Sequence, residues 1–492
     1  ARKYNDYFDY VNAEKFWVLA LEIDKTNILA LDSYRNFEMM KGNVLKSITL
    51  IEHQPENFSR AMITQCSILF GLNYICEDRE AVDNLYSRHV QFGDWMQKAL
   101  SEYCVLEHAN TKNPNRRIKI GYVAADFNGR HPVSHFGAAL LGLDREKFHV
   151  TVYSCKPQKD NKVDMREMAD KWIDLVGLNP SVAIAAITTE EIDILVDLTG
   201  WTVCNRLDVF ACSAAPVQVT WVAYPNTLGM SNVHYRVTDA ITDPVDTTQP
   251  FAEKLVRLPN SFLCYSLLRE PDQLPPVAPP PFVKNGYVTF GSFNTLPKIQ
   301  SSCFDLWCRL LLEVPDSKLN LKCYSGFSAE SLAEEWYQRF EQQGIPRTRV
   351  NLLPSAEDKD GHLSGYSAHD ISLDPFPYSG TTTTVESLLM GVPVVTLRSS
   401  PDACIHVQNV SSGLVTVVGH PELVADSPDM YIELASKLAA DTDRIRSFRS
   451  DLRDNLLKSP LCDASRYQCN VETMFQSMWS DYCDGSKWPP NA

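Results

Sequence analysis

Between Asp370 and Leu397 the chain sets a short apolar run, Ile371 to Leu373, ahead of an aspartate, a proline-bounded turn, a glycine and four threonines. The run reads as a buried strand ending at Asp374, because Pro375 and Pro377 in the next turn cannot donate to a continuing ladder. Gly380 allows a positive φ or close backbone approach. Thr381, Thr382, Thr383 and Thr384 then open a segment of helical character, Val385 to Met390. A helix start has about four unpaired N–H groups and a positive dipole end, which suits a pyrophosphate. Threonine hydroxyls there can cap the helix or donate to phosphate oxygens. Glu386, one to two turns in, offers a carboxylate to ribose hydroxyls. Gly391-Val-Pro393 stops the helix, and Val394 to Leu397 is the next strand. The same residues also suit an ordinary capped helix, but their place between two buried strands favours a nucleotide.

The elements around this segment indicate an α/β protein. Residues 1–115 read as helical: Ala13 to Asp24 and Asn43 to Gln54 carry apolar residues at helical spacing. The run at 20–27 is echoed at 50–57, a period near 30 against the 34 of tetratricopeptide helix pairs, so the region is read as a degenerate array of that kind or a plain helical bundle. From Arg116 the pattern changes to strands alternating with helical stretches. These are Arg117 to Phe127, His149 to Cys155, Ile192 to Gly200, Pro216 to Pro225, Tyr235 to Asp243 and Lys254 to Pro259. Such alternation implies βαβ units and a parallel sheet over 116–270. Residues 271–285 hold six prolines within eleven positions and read as a stiff, solvent-facing linker. A second α/β unit over 286–460 begins at Tyr287 to Phe293, continues through Lys318 to Tyr324 and Arg349 to Pro354, and reaches the threonine segment. A helix and tail fill 461–492.

The bulk numbers bound the function. Lys and Arg total 46 against 61 Asp and Glu, a net charge of −15. An acidic chain without a basic block is a poor partner for nucleic acid or an anionic membrane. No apolar run approaches the ~20 residues of a membrane span, and the start is not a signal peptide. Fourteen cysteines without CxxC or Cys/His spacing imply reduced, buried thiols, hence a cytoplasmic or nuclear setting. Asp358/Asp360 and Asp441/Asp443 are formal carboxylate pairs, but neither directly follows a buried strand, so no metal site and no cofactor are expected.

Several motifs fall in order. Gly121-Tyr-Val-x-x-Asp126-Phe, His131-Pro-Val-Ser-His135, Ala215-Pro-Val-Gln218-Val-Thr-Trp221 and Tyr224-Pro-Asn-Thr227 resemble the N-terminal catalytic lobe of the O-linked N-acetylglucosamine transferase family. Phe290-Gly-Ser-Phe-Asn294-x-x-x-Lys298 and residues 374–393 resemble its C-terminal lobe. The resemblance runs from about 116 to 485. Within the family, 72–95, 256–265, 288–294 and 376–384 look like the SPINDLY-type protein O-fucosyltransferases, which use GDP-fucose. His135 matches the animal enzymes better, Pro297 before Lys298 is unusual for either branch, and the helical array is far shorter here.

The resemblance implies a GT-B fold, two Rossmann-like lobes behind a helical region, with a cleft between the lobes. It implies inverting, metal-independent transfer from a nucleotide sugar to Ser or Thr of intracellular proteins. GDP-fucose is the favoured donor, UDP-GlcNAc the alternative, and an inactive helical-repeat adaptor the rival of another class. Lys298 would sit on the leaving β-phosphate, and Ser292 and Asn294 at the donor. His362 would lie against the base. His131 would accept the acceptor proton or orient the acceptor or sugar, with His135 behind it. Tyr224, Pro225, Asn226 and Thr227 would border the sugar or acceptor. A homodimer through the helical region is a further expectation.

Overall fold

The computed structural model describes residues 10–52, 58–125, 127, 132–157, 165–323, 327, 329–356 and 358–485. The chain divides into two compact units that do not follow its linear order. Residues 1–77, 273–400 and 407–457 form one, and 78–272, 401–406 and 458–492 form the other. The helical start is therefore shared out, whereas the sequence boundary at 115 keeps it together. The helix Arg79–Ala99 shows why: its buried face includes Leu85, Phe92 and Met96, and Phe92 meets Trp201 of its own unit at 4.8 Å between ring centroids. An apolar face goes where it finds a core, whichever residues precede it.

The unit centred on 78–272 contains strands β1 Ile118–Ala124, β2 Phe148–Ser154, β3 Lys171–Asp174, β4 Ile194–Asp197, β5 Val217–Thr220, β6 Tyr235–Asp239 and β7 Lys254–Leu258. All pair in parallel, in the order β3-β2-β1-β4-β5-β6-β7. β4 is buried at every position, as central parallel strands covered on both faces must be. The winding reverses between β1 and β4, which pair directly. Such a switch point, at the carboxyl ends of the strands, is where open α/β sheets take ligands. At the far edge, β3 is exposed at both ends and lacks a continuous apolar run, so the sequence does not announce it.

The other unit contains β8 Thr289–Ser292, β9 Lys318–Lys322, β10 Val350–Leu353, β11 Ile371–Leu373, β12 Val394–Leu397 and β13 Val424–Ala425. They are parallel, in the order β10-β9-β8-β11-β12-β13, with the switch point between β8 and β11. The two-residue β13 is also unannounced.

From the start of the chain, the helices Tyr10–Ile23, Ile28–Lys41, Val44–Thr49 and Phe58–Leu72 belong to this unit. Asn27 caps the second by accepting from the Ala30 N–H at 3.0 Å, and Gly42, at φ 90°, ends it. The echoed run at 50–57 lies largely outside the described residues. Val44, Ile48, Ile51, Ile68 and Tyr74 form an apolar cluster on which Tyr378 packs, its ring stacked on Tyr74 at 4.7 Å. These helices thus support the turn that precedes the threonines.

The proline stretch is no free spacer. Arg453 donates to the Pro275 carbonyl at 2.7 Å, and the Phe282 N–H donates to Asp370 at 3.1 Å. A Cβ on Gly391 would stand 2.8 Å from Val277. Prolines carry acceptors but no backbone donors, and an arginine of the helix Thr442–Lys458 meets one of those acceptors.

Candidate functional site

Asp374 follows β11 at the switch point and is buried. Its carboxylate accepts from the Gly380 N–H at 2.7 Å and from the Thr396 hydroxyl, on β12, at 2.8 Å. Burial pushes the Asp374 carboxyl up to about 6, although these bonds and the nearby Lys298 favour its charged form. Gly380 does not take the positive φ that its type allows. Space requires glycine instead: a Cβ would stand 2.4 Å from the Thr384 hydroxyl and 2.8 Å from the Asp374 carboxylate.

Lys298 ends the turn Leu296–Lys298 after β8 and is not a solvated surface lysine. Its ammonium donates to the Ser379 carbonyl at 2.7 Å and lies 4.5 Å above the Tyr378 ring. Burial lowers its pKa to about 8, opposed by the charge of Asp374. Lys298 and the glycine–threonine turn are therefore brought together, through the carbonyl that immediately precedes Gly380.

The helix starts at Thr382 and runs to Leu389, earlier than its apolar residues indicate. Thr381, Thr382 and Thr383 stay partly exposed at its start, while Thr384 is buried and shares a hydrogen bond with Ser411 at 2.7 Å. Thr383 donates to Asn294 at 3.0 Å, and Asn294 donates to Ser292 at 3.3 Å. Ser292, Asn294, Tyr366, Asp374, Thr383 and Thr384 help to line one small pocket at the strand ends.

Glu386 is 2% exposed and does not stand open to solvent. His362 Nε2 meets one carboxylate oxygen at 2.8 Å, and Lys359 forms an ion pair with the other. Burial raises the carboxyl, but these two partners outweigh it and hold Glu386 at about 2. A ribose hydroxyl would join these partners at an ionised acceptor. His362 is thus tied to the carboxylate, with Phe293 at 6.1 Å between ring centroids. Asp358 accepts from the Gly361 N–H at 2.7 Å and caps the short helix Lys359–Ser364, and Asp441 accepts from the Arg444 N–H at 2.9 Å. Both formal carboxylate pairs therefore contain a helix cap. Among the described residues no group of three or more His, Cys, Asp or Glu is placed to hold a metal ion.

In the other unit, His131 lies outside the described residues. His135 is buried, donates through Nδ1 to the Ser266 carbonyl at 2.8 Å, and stacks on Tyr265 at 5.0 Å. Tyr224, Pro225, Asn226 and Thr227 are all buried. The Tyr224 hydroxyl meets His89 Nε2 at 2.7 Å, and burial pushes His89 down to about 4. Arg236 donates to the carbonyls of Tyr224 at 2.9 Å and Asn226 at 2.6 Å. Thr227 donates to Glu253 at 2.6 Å. The turn is thus buried, with the Tyr224 and Thr227 hydroxyls hydrogen-bonded inside the unit.

Lys359 and Lys322 were not singled out from sequence. Lys359 lies inside a carboxylate pair that reads as solvated. Lys322 ends an apolar strand, and a lysine in that position was the available signal.

A family model, Glycosyl transferase family 41, matches residues 78–266 and 283–471. A Solanum lycopersicum protein named probable UDP-N-acetylglucosamine-peptide N-acetylglucosaminyltransferase SPINDLY is 42% identical over 423 residues, 85% of this chain and 44% of its own length. The Arabidopsis thaliana protein of the same name is 41% identical, with 85% and 45% covered. Arabidopsis SEC, named in the same terms, is 28% identical over 76% of this chain and 38% of its own length. The chain thus spans less than half the length of these relatives. Among solved structures, a lysine-to-methionine mutant of the Thermobaculum terrenum O-GlcNAc transferase superposes with a TM-score of 0.86 and 30% identity, covering 98% of this chain and 89% of that one. With two parallel Rossmann-like sheets and helices before them, the architecture is GT-B.

Proposed function

The chain belongs to glycosyl transferase family 41 and is of the SPINDLY type within it, and from that premise we propose that it is a protein O-glycosyltransferase acting on Ser and Thr hydroxyls. The observation that carries the reading is the meeting of Lys298, Gly380 and the start of the helix Thr382–Leu389 at the switch point between β8 and β11. A nucleotide sugar is the ligand whose chemistry fits. Its pyrophosphate takes the helix N–H groups, and Lys298 exchanges the Ser379 carbonyl for a β-phosphate oxygen. The acceptor oxygen attacks the anomeric carbon from the face opposite the phosphate, the bond from that carbon to the β-phosphate oxygen breaks, and the configuration inverts. The acceptor proton passes to a base, for which His131 is the proposed residue. Charge developing on the leaving group falls on Lys298 and the helix start, which take the place of a cation.

GDP-fucose is the proposed donor, on the resemblance of 288–294 and 376–384 to the O-fucosyltransferases. UDP-GlcNAc is the second reading, favoured by the names of the relatives. The test is transfer by the purified chain to Ser- and Thr-containing proteins, with each donor supplied alone and the added mass read on the acceptor. A fucose increment with GDP-fucose supports the first reading, and an N-acetylhexosamine increment with UDP-GlcNAc alone replaces it with the second. No increment from either refutes the enzyme. Lys298→Ala is expected to lower transfer at least ~100-fold in a protein that still folds, the magnitude of one lost donor at developing charge.

A further inference from the structure

Lys322 closes β9, at the carboxyl end of the strand beside β8, and is only 7% exposed. An ammonium has three donors and no acceptor. Here its hydrogen-bond partner is the His362 carbonyl at 3.4 Å, near the limit of a hydrogen bond, and its Nζ lies 3.8 Å from the centre of the Phe293 ring. Glu386 is near enough to favour the charge, but its two oxygens hold Lys359 and His362. Gly365 brings the neighbouring turn close: a Cβ there would stand 3.2 Å from Nζ. Burial lowers the Lys322 pKa to about 8, which leaves it mostly charged at neutral pH. A buried charge so thinly satisfied is costly unless something else completes its shell.

Two cations serve this switch point from separate positions. Lys298 stands with Ser379, Tyr378 and the glycine–threonine turn, where the pyrophosphate is proposed. Lys322 stands with His362 and Phe293, on the side where the base is proposed. We propose that Lys322 reads the nucleobase of the donor, donating to its exocyclic carbonyl oxygen. This rests on the donor-site reading given above. A group that only donates accepts a base bearing an oxygen at that place, guanine O6 or uracil O4. It rejects the amino group that adenine or cytosine carries there.

The experiment is calorimetric titration of the full chain with GDP, ADP, UDP and CDP. The wild type is expected to bind the oxo member of its preferred pair, GDP over ADP or UDP over CDP, at least ~10-fold more tightly, the size of one hydrogen bond to a charged group. Lys322→Met is expected to bring that ratio within about 3-fold, by weakening the oxo member alone. Lys322→Gln, which keeps a donor without charge, is expected to lie between. A wild type that binds both members equally overturns the proposal whatever the variants do. A Lys322→Met that keeps the ratio, or weakens both members alike, also overturns it and leaves the donor site standing. No binding of any of the four removes the donor site and this proposal with it.

Discussion

Two aspartates occupy the same place in the two sheets. Asp197 ends β4 and Asp374 follows β11, in each case the first strand beyond the switch point. Asp197 is register partner to Thr220 on β5, as the β11–β12 register sets Asp374 beside Thr396. Each carboxylate accepts from that threonine, at 3.0 Å and 2.8 Å, and from a glycine N–H, Gly200 at 2.9 Å and Gly380 at 2.7 Å. Each is pushed up to about 6, with burial the main cause. The difference is what the loop encloses. Gly200 lies three residues on, at φ 57°, and a Cβ there would stand 2.1 Å from the Tyr224 Cβ. Gly380 lies six residues on, and the intervening Pro375 to Ser379 carry the carbonyl and the ring that hold Lys298. One device closes onto packed scaffold. The other opens onto a helix start with a cation beside it.

The glycines give the largest separation. Gly200→Ala combines a left-handed backbone with overpacking and is expected to cost roughly 2–5 kcal/mol of stability. Gly380→Ala meets a hydroxyl and a carboxylate in ordinary backbone, so its main loss is expected in nucleotide affinity. Urea unfolding and calorimetry of both variants test this; equal stability losses without a binding loss at Gly380 would break the comparison.

Next come the carboxyls. Each folded pKa, about 6, exceeds the unfolded 3.8, so each adds stability below about pH 4 that is lost as pH rises through 6. The slope amounts to about 3 kcal/mol per group. Asp197→Asn and Asp374→Asn should each remove that much of the pH dependence between 4 and 7. Asp374→Asn alone should also weaken nucleotide binding, and a matching loss from Asp197→Asn would deny the difference between the two loops.

A smaller effect is expected from Glu386→Gln, about a 10-fold loss of nucleotide affinity, the low end for a hydrogen bond to a charged group. The wild-type carboxylate, depressed to about 2 from 4.5, contributes stability that is present above pH 4.5 and lost as pH falls toward 2. The variant should show less of that acid loss. A turnover defect with unchanged nucleotide affinity would contradict the ribose role.

Much of the scaffold was legible because buried parallel strands are short apolar runs, and β1, β2, β4 to β12 all fall on such runs. β3 and β13 were not, since β3 is exposed at both ends and β13 is only two residues long. The glycine–threonine loop was legible because its glycine, prolines and threonines are rare together, although the reason for Gly380 is crowding by Thr384 and Asp374, a fact about neighbours. Tyr224 to Thr227 show a related limit. A polar turn after a strand reads as a site, and only tertiary structure shows Arg236 and Glu253 holding it from within. Division of the helical start was equally hidden, since a helical face does not declare which core will cover it.

The central claim is that Lys298 and the helix start hold a pyrophosphate. The direct measurement is calorimetric titration of the wild type and Lys298→Ala with a nucleoside diphosphate and with the matching nucleoside. The wild type is expected to bind the diphosphate far more tightly, and the variant to lose most of that increment while keeping its affinity for the nucleoside. Equal increments in the two proteins would contradict the account.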